Sequence, residues 1–225
     1  MRKTPLVLLV VAVLGMATVA HADTNIIDFQ GYAWEDGGFL PSNATDELNI
    51  VGITVDVDAI FGVNLGTEEL TIYVTDLIST GQATLVDSIY AVNYIGGVIQ
   101  VWQDPAMNHA YGTNPPNGTA PSTFVDGSLL LGGTFDSFVL YFDDHAAAGI
   151  GSYEGTVTWN SGTALGTING IQNDGFTFGG VLNDPAASGS VPDGYDLQVD
   201  GVIEVKVVVG VEQTTWSGVK SLFKN

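Results

Sequence analysis

The chain has 225 residues, 25 of them acidic against 5 basic, no cysteine, and a formal net charge of −20. So few Lys and Arg exclude a nucleic-acid binder, which needs them for phosphate contacts. The lack of cysteine excludes a disulfide scaffold and any thiolate metal or redox site. Hydrophobic residues make up 45% of the chain and charged ones only 13%. That is enough to build a core, and the length suits one domain.

The first 22 residues read as an export leader. Arg2 and Lys3 form the positive start, Leu6 to Leu14 is a short apolar run, and Ala20-His21-Ala22 is an A-x-A cleavage site. The run is shorter than the ~20 residues that span a bilayer. No later stretch is apolar enough to cross one, so no transmembrane segment is expected after leader removal. The mature chain then begins at Asp23 and is secreted, periplasmic or extracellular. Cleavage removes two cations and no acid, leaving 203 residues at a net charge of −22. Asp23 to Val205 holds 24 carboxylates and no Lys or Arg. Those acids must be solvated, hydrogen-bonded to backbone N–H groups, or bound to external cations.

From Asp23 the pattern is β. Asn25–Trp34 and Leu48–Val57 are rich in β-branched and aromatic residues. Glu69–Ile78 alternates Leu70, Ile72 and Val74 with Thr71, Tyr73 and Thr75, the pattern of a half-buried strand. Further strands are expected at Ala83–Tyr94, Val98–Gln103, Ser128–Leu131, Phe135–Phe142, Ser152–Trp159, Gly175–Phe178 and Gly201–Val209. Asp-Gly pairs at Asp36, Asp126, Asp174, Asp193 and Asp200 mark turns. Gly132-Gly133 separates two apolar runs, so Ser128–Phe142 reads as a hairpin. Many short strands with few helical patterns predict a single antiparallel β-sandwich or jelly roll over 23–210. The 29 dispersed glycines are assigned to turns and bulges.

One connection is long and proline-rich: Asp104 to Ser122. Loops of this length are uncommon in compact domains and often carry function. The tail, 211–225, changes character. Thr215 is an N-cap, and Trp216, Val219, Leu222 and Phe223 line one face of a short amphipathic helix, with Lys220 and Lys224 in its last turns. A helix this short needs a docking surface. Trp216, Val219, Lys220, Leu222 and Phe223 are therefore the candidate partner-binding residues.

Catalytic signals are weak. There is no G-x-S-x-G elbow, and only His109 and His145 survive leader removal. With 25 acids, some carboxylate pair of glycosidase type always exists, so the count says nothing. Ca²⁺ is the candidate cofactor, because it takes carboxylates and turn carbonyls in flexible geometry. Its candidate ligands are Asp143 and Asp144, beside His145, and Asp193, Asp196 and Asp200. None matches the EF-hand or RTX pattern. Tyr111, in the long loop, and Trp102 are the candidate glycan-stacking rings, set against the common role of strand aromatics as core. Asn43-Ala44-Thr45 and Asn117-Gly118-Thr119 match the N-glycosylation tripeptide.

Gly97–Pro105, Tyr111–Pro116, Ser122–Leu131 and Gly194–Glu204 resemble stretches of uncharacterised secreted bacterial proteins. A strand ending in Asp-Pro, a Pro-rich loop and an Asp-Gly turn also resembles exported proteins of the PEP-CTERM type. The sorting tail of that type, with its Pro-Glu-Pro, membrane stretch and terminal Arg cluster, does not appear. The resemblance implies export and an all-β fold and brings no activity. The expected function is structural or adhesive and non-enzymatic, at the cell surface or in the extracellular matrix, with an extracellular glycan or cell-surface component as partner. Two alternatives are a carbohydrate-binding module, calcium-assisted or not, and a glycan-active enzyme.

Overall fold

The computed structural model describes residues 21–112, 121–144, 149–171, 175–185 and 191–208. The leader up to residue 20, the tail 209–225 with its expected helix, His145 and the Asn117 tripeptide lie outside the described residues. Eight strands form one closed antiparallel barrel in which every strand pairs with its neighbours in sequence and β8 returns to β1. They are β1 (His21–Glu35), β2 (Ala44–Val57), β3 (Glu69–Val86), β4 (Ile89–Asp104), β5 (Ser128–Asp143), β6 (Ile150–Ser161), β7 (Phe176–Asn183) and β8 (Leu197–Val208). The first two residues of β1 fall inside the expected leader. A five-residue helix, α1 (Leu165–Asn169), joins β6 to β7.

The expected β-sandwich or jelly roll is therefore wrong: the all-β class holds, but the sheet closes on itself. The error came from reading internal glycines as chain reversals. Ser128–Asp143 is one continuous strand and not a hairpin at Gly132-Gly133. Asp200-Gly201 sits in the middle of β8 and not in a turn. Conversely, the single strand expected over Ala83–Tyr94 is broken by the β3–β4 hairpin at Asp87-Ser88. The result is fewer, longer strands of up to 18 residues, long enough to coil around a common axis.

The glycines make that coil possible. An eight-stranded barrel is just wide enough for side chains to fill. Here large rings fill it: Phe29 stacks on Phe178 at 5.2 Å, Phe135 meets Phe138 edge-on at 5.3 Å, and Tyr153 lies 5.4 Å from Phe178. Opposite these rings the wall carries glycine. A Cβ on Gly52 would come 3.0 Å from the Phe29 ring, one on Gly155 3.0 Å from Phe135, and one on Gly97 3.0 Å from Phe135. Gly133, Gly180 and Gly201 are crowded in the same way by Trp159, Tyr153 and Phe29. Inward glycines thus make room for aromatic fillers and let the strands bend.

Both ends are covered. At one end the β1–β2 connection lays Phe39 over the core, edge-on to Phe142 at 5.1 Å. At the other, Ala164 and Ile168 of the β6–β7 connection are buried in the core, with Phe61, Val63 and Leu65 packed beside them. The outward positions carry polar side chains such as Gln30, Glu154, Thr158, Asp200 and Glu204. A membrane-spanning barrel has the reverse distribution, apolar outside and polar within. Among the described residues no helix is long and apolar enough to cross a membrane.

Candidate functional site

Three places combine polar chemistry with defined geometry. The first is at the Phe39 end. Alternation along β1 puts Phe29, Ala33 and Glu35 on the inward face, so a carboxylate is carried into the end of the core. Glu35 is 3% exposed. Ser42 Oγ donates to its Oε1 at 2.6 Å, and the Tyr94 hydroxyl donates to its Oε2 at 2.8 Å. Ser42 Oγ lies 2.7 Å from Ser79 Oγ, which accepts from the Gly81 N–H. Burial pushes the Glu35 carboxyl up to about 7, against the lowering effect of the two hydroxyl donors. Asp196 accepts the backbone N–H groups of Glu35 and Phe39. Burial raises its pKa as well. The network ties β1, the β1–β2 connection, β3 and β4 together at the end that Phe39 covers.

The second place is the β4–β5 connection. Its described parts, residues 105–112 and 121–127, lie along the outside of β1–β3. Glu69, 3% exposed, points outward and is covered by this connection. Its Oε1 accepts the backbone N–H groups of Asn108 and His109 at 2.8 and 2.9 Å, and its Oε2 lies 2.6 Å from His109 Nδ1. Thr71 Oγ1 donates to the Phe124 carbonyl at 2.8 Å. A second apolar cluster forms under the loop from Trp34, Val51, Phe124 and Tyr195, with Tyr32 and Tyr111 against it. Tyr111, expected as a glycan platform, packs edge-on to Tyr32 at 4.7 Å and tilted against Phe124 at 5.2 Å. Burial raises its hydroxyl pKa. This ring works as a clamp for the loop.

The third place is on the outer wall. The register aligns Glu154 of β6, Gly179 of β7, Val202 of β8, Asp28 of β1 and Asp56 of β2 in one row across the sheet. Asp200 and Glu204 flank that row on β8. Asp28 and Asp56 face each other directly, a destabilising like-charge pair. Asp28 is raised above its ordinary value by burial first, then by Asp200 and Asp56. Within this wall lies a shallow groove of about 410 Å³ lined by Glu154, Thr177, Gly179, Gly180, Val202 and Glu204, with Tyr153 beneath. Thr177 Oγ1 donates to Glu204 Oε2 at 3.3 Å. Tyr153 is 3% exposed, and its hydroxyl has no hydrogen-bond partner among the described residues. It abuts Gly180 and Gly201, where a Cβ would collide with it.

The candidate calcium ligands are dispersed. Asp143 ends β5 and receives the Ser88 hydroxyl at 3.3 Å, while Asp144 is exposed beside it. Asp193 is exposed in the turn before β8, Asp196 is turned to the β1–β2 backbone, and Asp200 lies on the outer wall. Among the described residues no group of three His, Asp or Glu is placed to hold a metal ion. Trp102 is half-buried on β4 with its Nε1 3.4 Å from Gln100 Oε1. The partner-binding residues of the tail lie outside the described residues.

Sequence reasoning missed Glu35, Glu69, Tyr153, Glu154 and Glu204. Glu35 had a signal, a carboxylate in phase with Phe29 and Ala33. The pairing of Glu154 with Glu204 had none, because it depends on the order of β6, β7 and β8. No family model, curated protein or solved structure matches the chain.

Proposed function

We propose that the protein is exported and non-enzymatic, and that it acts structurally or adhesively at the cell surface or in the extracellular matrix through its outer wall. One observation carries this reading: the barrel interior is filled by aromatic rings and covered at both ends. Barrels that carry small ligands keep a cavity open at one mouth. Here the inside is occupied by core, so recognition falls to the outside. The buried acids are engaged in holding turns and a loop. A strongly acidic wall, with no Lys or Arg from Asp23 to Val205, suits a protein kept soluble outside the cell and favours cationic or hydroxyl-rich partners.

The test is to incubate pure protein, residues 23–225, with isolated cell-surface and matrix material and with a panel of extracellular polysaccharides. Salt-sensitive co-sedimentation with no turnover is expected. Turnover abolished by a point substitution would overturn the reading.

Glycan recognition is the second reading, favoured by the groove in which two carboxylates and a threonine hydroxyl face solvent together. Carboxylates accept charge-assisted bonds from sugar hydroxyls. Strand spacing and rise put the Cα atoms of Glu154 and Glu204 about 12 Å apart, so hydrolysis would require both side chains to converge on one bond. Glycan-array binding lost in Glu154→Gln would favour this reading over the first.

A further inference from the structure

We propose that the outer face of β5–β8 is the docking surface for the chain's own C-terminal segment, residues 211–225, bound to the barrel it belongs to.

The face has two parts. One is the groove, with acidic walls at Glu154 and Glu204 and a floor of Gly179, Gly180 and Val202. The other is an apolar patch beside it. Tyr141 lies opposite Ser152, and Ser152 opposite Val181, so all three share the outward face. Tyr141, Ile150 and Val181 are 39%, 49% and 54% exposed. Exposed apolar side chains are ordinary singly, but a group of them next to a groove marks an interaction surface. Under the groove floor, the Tyr153 hydroxyl, without a hydrogen-bond partner among the described residues, is a second polar feature.

The occupant follows from charge, composition and reach. An acid-walled groove rejects anions, and the described barrel offers no Lys or Arg before Lys206. The remaining mature cations are Lys220 and Lys224, in the segment that also carries Trp216, Val219, Leu222 and Phe223. Apolar residues and cations are thus combined in the tail as apolar patch and acids are on the face. The strand before the tail is part of the surface: β8 ends at Val208, four residues beyond Glu204, or about 13 Å along the strand. Seventeen residues follow Val208, enough to turn back and cover the groove whether helical or extended. A tail tethered this closely meets its own barrel at a millimolar effective concentration, well above that of a second copy in dilute solution. This inference does not rest on the adhesive reading, and either can fail alone; it competes with the glycan reading for the same groove.

Zero-length carbodiimide coupling of Lys amines to carboxylates tests it on residues 23–225 without mutation. Mapping should find Lys220 or Lys224 joined to Glu154 or Glu204 in monomeric protein, at least tenfold more often than to Asp76 on β3 across the barrel. The links should vanish in Glu154→Gln/Glu204→Gln, whose folding is checked by circular dichroism, and fall in 1 M NaCl, where exposed pairs are screened. Links confined to cross-linked dimers would replace self-docking with docking on a second copy. Links spread evenly over the acids, or none from the tail, would overturn the proposal.

Discussion

Glu35→Gln probes the buried acid directly. The wild-type carboxyl titrates at about 7 in the folded chain against 4.5 when exposed. A raised acid binds its proton more tightly in the native state. Its contribution is therefore most favourable below 4.5, is lost as pH climbs from 4.5 to about 7, and is flat above. At ~1.4 kcal/mol per pH unit the displacement corresponds to about 3 kcal/mol. Glutamine is neutral at every pH and keeps one carbonyl acceptor for Ser42 or Tyr94. Its NH₂ must then face the other hydroxyl, which rotates to accept, at a cost of about 1 kcal/mol. The variant should thus be slightly less stable than wild type at pH 4.5 and about 2 kcal/mol more stable at pH 8. Urea unfolding followed by tryptophan fluorescence reads this, since Trp34 and Trp159 are each 6% exposed. Asp28 and Asp196 are also raised by burial and tilt both proteins in the same sense, so the variant-minus-wild-type difference isolates Glu35. An equal pH slope in the two proteins would refute the assignment of a proton to this site.

Three further outcomes follow from packing and linkage. Gly201→Ala should cost about 2 kcal/mol or more, because its Cβ would collide with the Tyr153 hydroxyl and come 2.8 Å from Phe29. Tyr153→Phe, which removes an unpaired buried hydroxyl, should be neutral or stabilising by about 1 kcal/mol and should recover part of the Gly201→Ala loss; additive losses in thermal unfolding would count against the contact. Glu69→Ala should leave the barrel folded while limited proteolysis within residues 105–112 speeds up about tenfold, since three donors lose their acceptor; unchanged cleavage would mean the aromatic cluster alone holds the loop. EDTA should leave the melting temperature unchanged within a degree, and a fall of several degrees would reveal a resident cation by linkage.

Much of the local structure was legible in the sequence because strands announce themselves by period. Leu70, Ile72 and Val74 were expected on one face and lie in the core. The charge asymmetry was also a property of the sequence, and it excluded a nucleic-acid binder before any fold was known. Glycine was the misleading signal. A glycine in a turn and a glycine facing a phenylalanine across a barrel look the same in one dimension; Gly133 and Gly201 became distinguishable only when Trp159, Phe29 and Tyr153 were placed opposite them. The choice of sandwich or barrel turned on that reading.

Composition and alternation thus determined an acidic, cysteine-free, all-β chain with an apolar face on each strand. Closure, register and neighbourhood were decided by tertiary structure, because they depend on which strand meets which. Pairing β1 with β8 brought Asp28 beside Asp200, and the order β6–β7–β8 set Glu154 and Glu204 on one groove. The same closure turned Glu35 inward to the end that Phe39 covers and folded the long loop against Glu69. Sequence separation carries no information about such encounters, since the sheet brings together residues more than a hundred positions apart through hydrogen bonds that any side chain permits.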